Sequence, residues 1–91
     1  MQPATIIETA DKDQRDFILL LSSRTLGNNV KSLERRVLED YLRFTRGKSN
    51  QIFHYWLKLG LVEGDQFGQI WLTLKGSAEI EEYEKHASNV K

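Results

Sequence analysis

The stretch Thr45 to Gly60, TRGKSNQIFHYWLKLG, decides how the rest of the chain is read. Ile52, Phe53, Trp56 and Leu59 recur at i, i+1, i+4 and i+7, which places them on one face of a helix. Lys48, Gln51, Tyr55 and Lys58 fall on the other face, with His54 at the boundary. A short helix that is apolar behind and basic, amide-bearing and aromatic in front suits a DNA groove. The expectation is a recognition helix and double-stranded DNA as its ligand. Thr45-Arg46-Gly47 reads as the turn that leads into it, with the glycine permitting a tight change of direction.

Upstream, Ser32 is placed to cap a helix over Leu33 to Phe44. Leu33, Val37, Tyr41 and Phe44 share a face there, while Arg35, Arg36, Glu39, Asp40 and Arg43 lie largely outside. Two helices joined by a short glycine-containing turn match the helix-turn-helix pattern. Gly27-Asn28-Asn29 are turn formers, and a short strand is expected around Val30. The first helix would start from Thr9 or Asp11 and run to about Ser23. Its centre, Phe17 to Leu21, is apolar on every side. One face can serve the domain core. The remainder needs either a second copy of the chain or neighbours within the same domain. Residues 1–10 read as a flexible arm or as an edge that packs only in a dimer, and 11–91 as the domain.

Downstream the period changes from helical to alternating. Leu61 to Glu63 and Gln69 to Leu72 read as two strands around Gly64-Asp65-Gln66-Phe67-Gly68, which is a β-hairpin pattern. Thr73 is placed to cap a final helix from Leu74 to about Ser88, rich in glutamate with a modest apolar seam.

Ninety-one residues make one small domain, which would bury roughly 60–65% of its unfolded surface. Without cysteine there is no disulfide framework or thiolate metal site. The N-terminus lacks the features of a signal peptide, and no apolar run approaches the roughly 18 residues of a membrane span. A cytoplasmic, nucleoid-associated protein is expected. The net charge is zero but unevenly spread. Residues 24–58 hold eight basic residues against three acidic, a net of +5. Residues 1–23 carry −2 and residues 59–91 carry −3. A basic middle on a neutral molecule can form a local face that draws phosphate.

The order helix, short strand, helix, turn, helix, hairpin, helix describes an α+β, mostly α, winged helix-turn-helix fold. WLKLGLVEG resembles the end of the recognition helix and the first wing strand of MarR-like and PadR-like regulators and related small archaeal proteins. IWLTLKGSAEI resembles their second wing strand and the turn into the last helix. The resemblance covers roughly residues 12–88. It implies a base-reading face of Lys48, Ser49, Gln51, His54, Tyr55 and Lys58. It also implies phosphate contacts from Arg35, Arg36, Arg43 and Arg46. The wing tip, Asp65 to Gly68, departs from the pattern because it carries no basic residue for a minor groove.

Gln51 suits an adenine edge, and Lys48 or Lys58 suits guanine or phosphate. Tyr55 is placed either for DNA or for covering the hairpin, and His54 for DNA or plain solvent. Trp56 and Trp71 read as core. No nucleophile motif, glycine-rich phosphate loop or metal-ligand spacing is present, so neither an enzyme nor a metal or cofactor is expected. The expected function is a homodimeric repressor of transcription, with Phe17, Leu20, Leu21, Ile80 and Tyr83 at the dimer interface. The alternative is a winged-helix adaptor, or a DNA partition or replication accessory protein, acting through protein contacts.

Overall fold

The central helix α1 (Lys12–Thr25) is the element on which the others pack. A computed structural model describes residues 5–26 and 30–89. The elements that follow α1 are β1 (Leu33–Glu34), α2 (Arg35–Leu42), α3 (Arg46–Lys58), β2 (Val62–Gly64), β3 (Gln69–Leu72) and α4 (Leu74–Asn89). The three strands form an antiparallel sheet in the order β1-β3-β2. The protein is therefore α+β and mostly helical, an arrangement compatible with a winged-helix layout.

The all-round apolarity of α1 has a direct cause in packing. This helix touches α2, α3, α4, β1 and β3. Phe17, Ile18 and Leu21 are fully buried against them, and Leu19 and Leu20 are half-buried. Ile80 of α4 is 2% exposed, and Tyr83 is half-buried against the same core. Three of the five residues expected at a dimer interface, Phe17, Leu21 and Ile80, are thus interior to one chain. Only Leu20 and Tyr83 keep partial exposure.

Part of the segment expected as an arm packs on the domain. From Thr5 onward it forms a turn, in which the Thr9 and Ala10 amides donate to the Thr5 and Ile7 carbonyls at 3.1 and 3.2 Å. Ile7 is fully buried. An apolar side chain in a short segment can bury only if the segment folds back, and here Glu8 meets His86 of α4 at 3.0 Å. Residues 1–4 lie outside the described residues, as do Gly27, Asn28 and Asn29. At the start of α1 the Asp11 amide donates to Gln14 Oε1 at 3.1 Å, half of a capping box. Asp16 accepts from Lys12 at 2.8 Å, and that hydrogen bond holds the Lys12 ammonium above its ordinary pKa.

The region between α1 and α3 differs from the reading of one long second helix. Leu33 and Glu34 are strand, paired with Ile70 and Gln69 of β3. The strand expected around Val30 therefore lies a few residues later. Ser32 caps nothing; its hydroxyl donates to Gln69 Oε1 at 2.8 Å. Helix α2 ends at Arg43, which takes the left-handed conformation (φ 59). The turn into α3 is Arg43-Phe44-Thr45, two residues earlier than expected. Thr45 is the N-cap, its hydroxyl accepting from the Lys48 amide at 3.1 Å. Gly47 already lies inside α3.

Ser49, Ile52, Phe53 and Trp56 form the buried face of α3. The Trp56 indole donates to the Gln14 carbonyl at 2.9 Å, which ties α3 to the start of α1. After Gly60 (φ 81) the hairpin follows, its first strand one residue later than expected, with Val62 opposite Leu72 and Glu63 opposite Trp71. Trp71 is half-buried. Thr73 then serves two elements. Its hydroxyl accepts from the Gly76 amide at 3.0 Å, capping α4, and donates to the Gly60 carbonyl at 2.6 Å. Gly76 lies against the backbone of Leu61 so closely that a Cβ would stand 2.0 Å from that carbonyl oxygen.

Candidate nucleic-acid interface

One side of α3 is fixed inside by Ile52, Phe53 and Trp56, so the opposite side faces out. Gly47, Asn50, Gln51, His54 and Lys58 are exposed on that side. The side chains on it are an amide pair, an imidazole and an ammonium. A carbonyl oxygen only accepts, so the 2.8 Å contact between His54 Nδ1 and the Asn50 carbonyl places a proton on Nδ1. His54 then turns Nε2 outward. Tyr55 stands edge-on to Trp56 with ring centroids 4.9 Å apart and remains 37% exposed. Packing on one side thus fixes its ring while part of it faces solvent.

Ser49 does not belong to this face. It is fully buried, and among the described residues its hydroxyl has no hydrogen-bond partner. The reason is its position: Ser49 precedes Ile52, Phe53 and Trp56 by three, four and seven residues, which is the apolar stripe itself. A spacing argument applied to Ser49 finds this, but its hydroxyl and its nearness to the helix start pull the reading toward DNA.

The four arginines divide. Arg35 is committed within the molecule: its Nε lies 3.5 Å from Glu39, its Nη1 donates to Asn50 Oδ1 at 3.2 Å, and its guanidinium lies 5.7 Å from the Phe53 ring centre. It joins α2 to α3 and is not available as a free phosphate ligand. Arg36, Arg43 and Arg46 are exposed and make no ion pair among the described residues. Lys58 is exposed and likewise unpaired. Lys48 forms an ion pair with Asp13 of α1 and sits 4.8 Å above the Phe44 ring.

Two residues that the sequence reading passed over organise this face. Asn50 receives Arg35 on its side chain and His54 on its carbonyl. Its place four residues before His54 was a usable signal. Asp13 holds Lys48 across 35 positions of sequence, a pairing that no local pattern announces.

The hairpin tip stands beside the start of α2. Asp65 Oδ1 accepts from the amides of Phe67 and Gln69 at 2.8 and 3.0 Å, and Gly68 takes φ 87. The Gly68 carbonyl accepts from the Arg35 amide at 2.9 Å. The tip is thereby pinned to α2, and it presents Phe67 at 78% exposure.

Among the described residues, no group of three or more His, Cys, Asp or Glu converges as a metal site would require, and no helix is long and apolar enough to cross a membrane. No family model, curated protein or solved structure matches the chain.

Proposed function

We propose that the protein is a winged helix-turn-helix regulator that binds duplex DNA, with α3 in the major groove. One observation carries this reading. The outward side of α3 presents Gln51, His54 and Lys58 together, while Arg36, Arg43 and Arg46, without an ion pair among the described residues, lie in α2, the turn and the start of α3. In this arrangement Gln51 reads a base edge, and the arginines hold the backbone. Lys48 joins them once it leaves Asp13. Repression of transcription is the role that fits a short DNA-binding domain acting as a dimer. Two protomers related by a two-fold axis would address half-sites about 34 Å apart. The second copy is placed on Leu20, Tyr83 and the exposed Leu26 at the end of α1.

Purified protein incubated with a mixed pool of duplexes at two salt concentrations tests this, with the mass in solution measured alongside. Neutralising about 4–8 phosphates per dimer predicts a slope of roughly −4 to −7 in log K against log salt. A dimer that enriches a palindrome and follows that slope supports the proposal. An absence of binding at low salt removes it.

A second reading is favoured by a specific feature of α4. An open groove of about 420 Å³ runs between α1 and α4, lined by Ser22, Ser23, Leu26, Ser77, Ile80, Glu81 and Glu84. An apolar floor with an acidic rim suits a basic amphipathic segment of another protein. This is the adaptor role, and it predicts no salt-sensitive duplex binding by the protein alone.

A further inference from the structure

Phe67 has no structural task that accounts for it. It is 78% exposed, yet the turn that carries it is held by Asp65 from within and by the Arg35 amide from α2. A large aromatic on a pinned support is a preorganised flat surface, because little freedom remains to be lost when something stacks on it. Beneath it lies an open groove of about 190 Å³, lined by Glu34, Arg35, Arg36, Glu39, Arg46, Phe67 and Gly68. Glu39 is paired with Arg35. That leaves Arg36 and Arg46 against Glu34, so the groove keeps a net charge of +1 beside an aromatic face.

Cationic side chains next to a stacking ring are what one nucleotide requires: phosphate on the arginines, base on the ring. Magnitudes decide which nucleotide. Stacking on an aromatic strengthens binding by about 5- to 150-fold per base. Wedging the ring into an intact duplex must first unstack a base step, which cancels a factor of that same order. An unpaired base has no such cost. The acidic Glu63 and Asp65 in the wing also oppose entry into a narrow, negative minor groove.

We propose that the wing tip is a single-nucleotide site, in which Phe67 stacks on the first unpaired base beyond the duplex while Arg36 and Arg46 hold the backbone at that junction as they hold it on a blunt duplex. The inference rests on the duplex-binding reading given above, and it makes the preferred partner a duplex that ends in a single-stranded extension. The protein would then sit at a junction or a processed end, with α3 on the paired part.

The test measures affinity of the protein for four DNAs of one core sequence: a blunt duplex, that duplex with a short 3′ extension, that duplex with a short 5′ extension, and the single strand alone. The wild-type protein is expected to bind one of the extended duplexes 5- to 150-fold more tightly than the blunt one. Phe67→Ala should erase that preference and leave blunt-duplex affinity unchanged, while Phe67→Trp retains it. Equal affinity for blunt and extended duplexes overturns the wing-tip site and leaves the duplex reading standing. Equal loss by Phe67→Ala on both also overturns it. Phe67-dependent binding of the extended DNA or the single strand without blunt-duplex binding supports the site and removes the duplex reading. No binding to any of the four overturns both.

Discussion

Replacing Gly76 with alanine places a methyl carbon 2.0 Å from the Leu61 carbonyl oxygen, 3.0 Å from its carbon and 3.2 Å from Leu72 Cδ2. Real Cβ contacts do not fall below 3.0 Å, so α4 and the Leu61 backbone must separate by at least about 1 Å. Neither is free to move. The Leu61 carbonyl accepts from the Thr73 amide at 3.0 Å, Thr73 bonds Gly60 and caps α4, and the Lys75 ammonium donates to the Leu59 carbonyl at 2.9 Å. Overpacking of this kind costs about 1–3 kcal/mol. Stretching two hydrogen bonds adds about 1–3 kcal/mol. Alanine in place of helical glycine returns about 1 kcal/mol. The net is a loss of about 3 kcal/mol. A domain of 91 residues has roughly 5–14 kcal/mol in all. The melting temperature should fall by about 12–24 °C. Thermal and urea unfolding read by circular dichroism measure this. Gly47→Ala is the internal control, since a Cβ there meets nothing within 4 Å and the residue is inside α3. That variant should gain about 0.5–1 kcal/mol. A Gly76→Ala protein as stable as the wild type would refute the close approach of α4 to Leu61, and with it the docking of the last helix.

Further substitutions probe the interface and the frame that supports it. Asp13→Asn releases Lys48; with both side chains nearly half exposed, the pair is worth only about 0.2–1 kcal/mol, so duplex affinity at low salt should rise by about 1.4- to 5-fold, read by fluorescence anisotropy. Arg36→Ala combined with Arg46→Ala should weaken binding to every duplex and flatten the salt slope by about 2 per protomer, whereas an unchanged slope would remove their phosphate role. Gln51→Ala should cost about 1–3 kcal/mol on a selected sequence and little on random DNA; equal losses would argue against base reading. Trp56→Phe removes the donor to the Gln14 carbonyl and should destabilise the fold by about 1–3 kcal/mol, measured as a shift in the urea midpoint.

The outer elements of the fold were readable because each carries a local signal. The stripe Ile52, Phe53, Trp56 and Leu59 specified α3. The change to alternation after Gly60, with turn residues from Gly64 to Gly68, specified the hairpin, and Thr73 specified the cap of α4. The middle of the chain was harder, because a residue there can be claimed by two partners at once. Leu33 and Glu34 fit a helical stripe, but β3 offers them backbone hydrogen bonds, and the sheet pairing starts α2 two residues later. Arg43 is an unremarkable surface residue in sequence, and its left-handed conformation is fixed only by how α2 must turn into α3. The site divides along the same line. Gln51, His54 and Lys58 follow from helical period alone. The commitments of Arg35 to Glu39 and Asn50, and of Lys48 to Asp13, depend on helices brought together by the fold.

The apolar centre of α1 shows why periodicity sets what a helix needs and leaves open who supplies it. Apolar residues on every side of a helix require cover on every side. In a chain of this length a second protomer is one way to provide it. Here α2, α3, α4 and the sheet surround α1 instead, so Phe17 and Leu21 are covered without a partner. Even the residues before Asp11 take part, since Ile7 joins the same core. What remains exposed and apolar among the described residues lies elsewhere: Leu26 at the end of α1, Val30 before β1, Val37 and Tyr41 on α2, Tyr55 and Leu57 on α3, Phe67 at the hairpin tip and Leu74 at the start of α4. The proposed dimer would draw on such separated side chains and on the half-buried Leu20 and Tyr83, since Phe17, Leu21 and Ile80 are already covered. An interface built from separated residues gains little from apolar burial, and under the proposed function DNA that holds two protomers on adjacent half-sites would supply stability by raising their effective concentration.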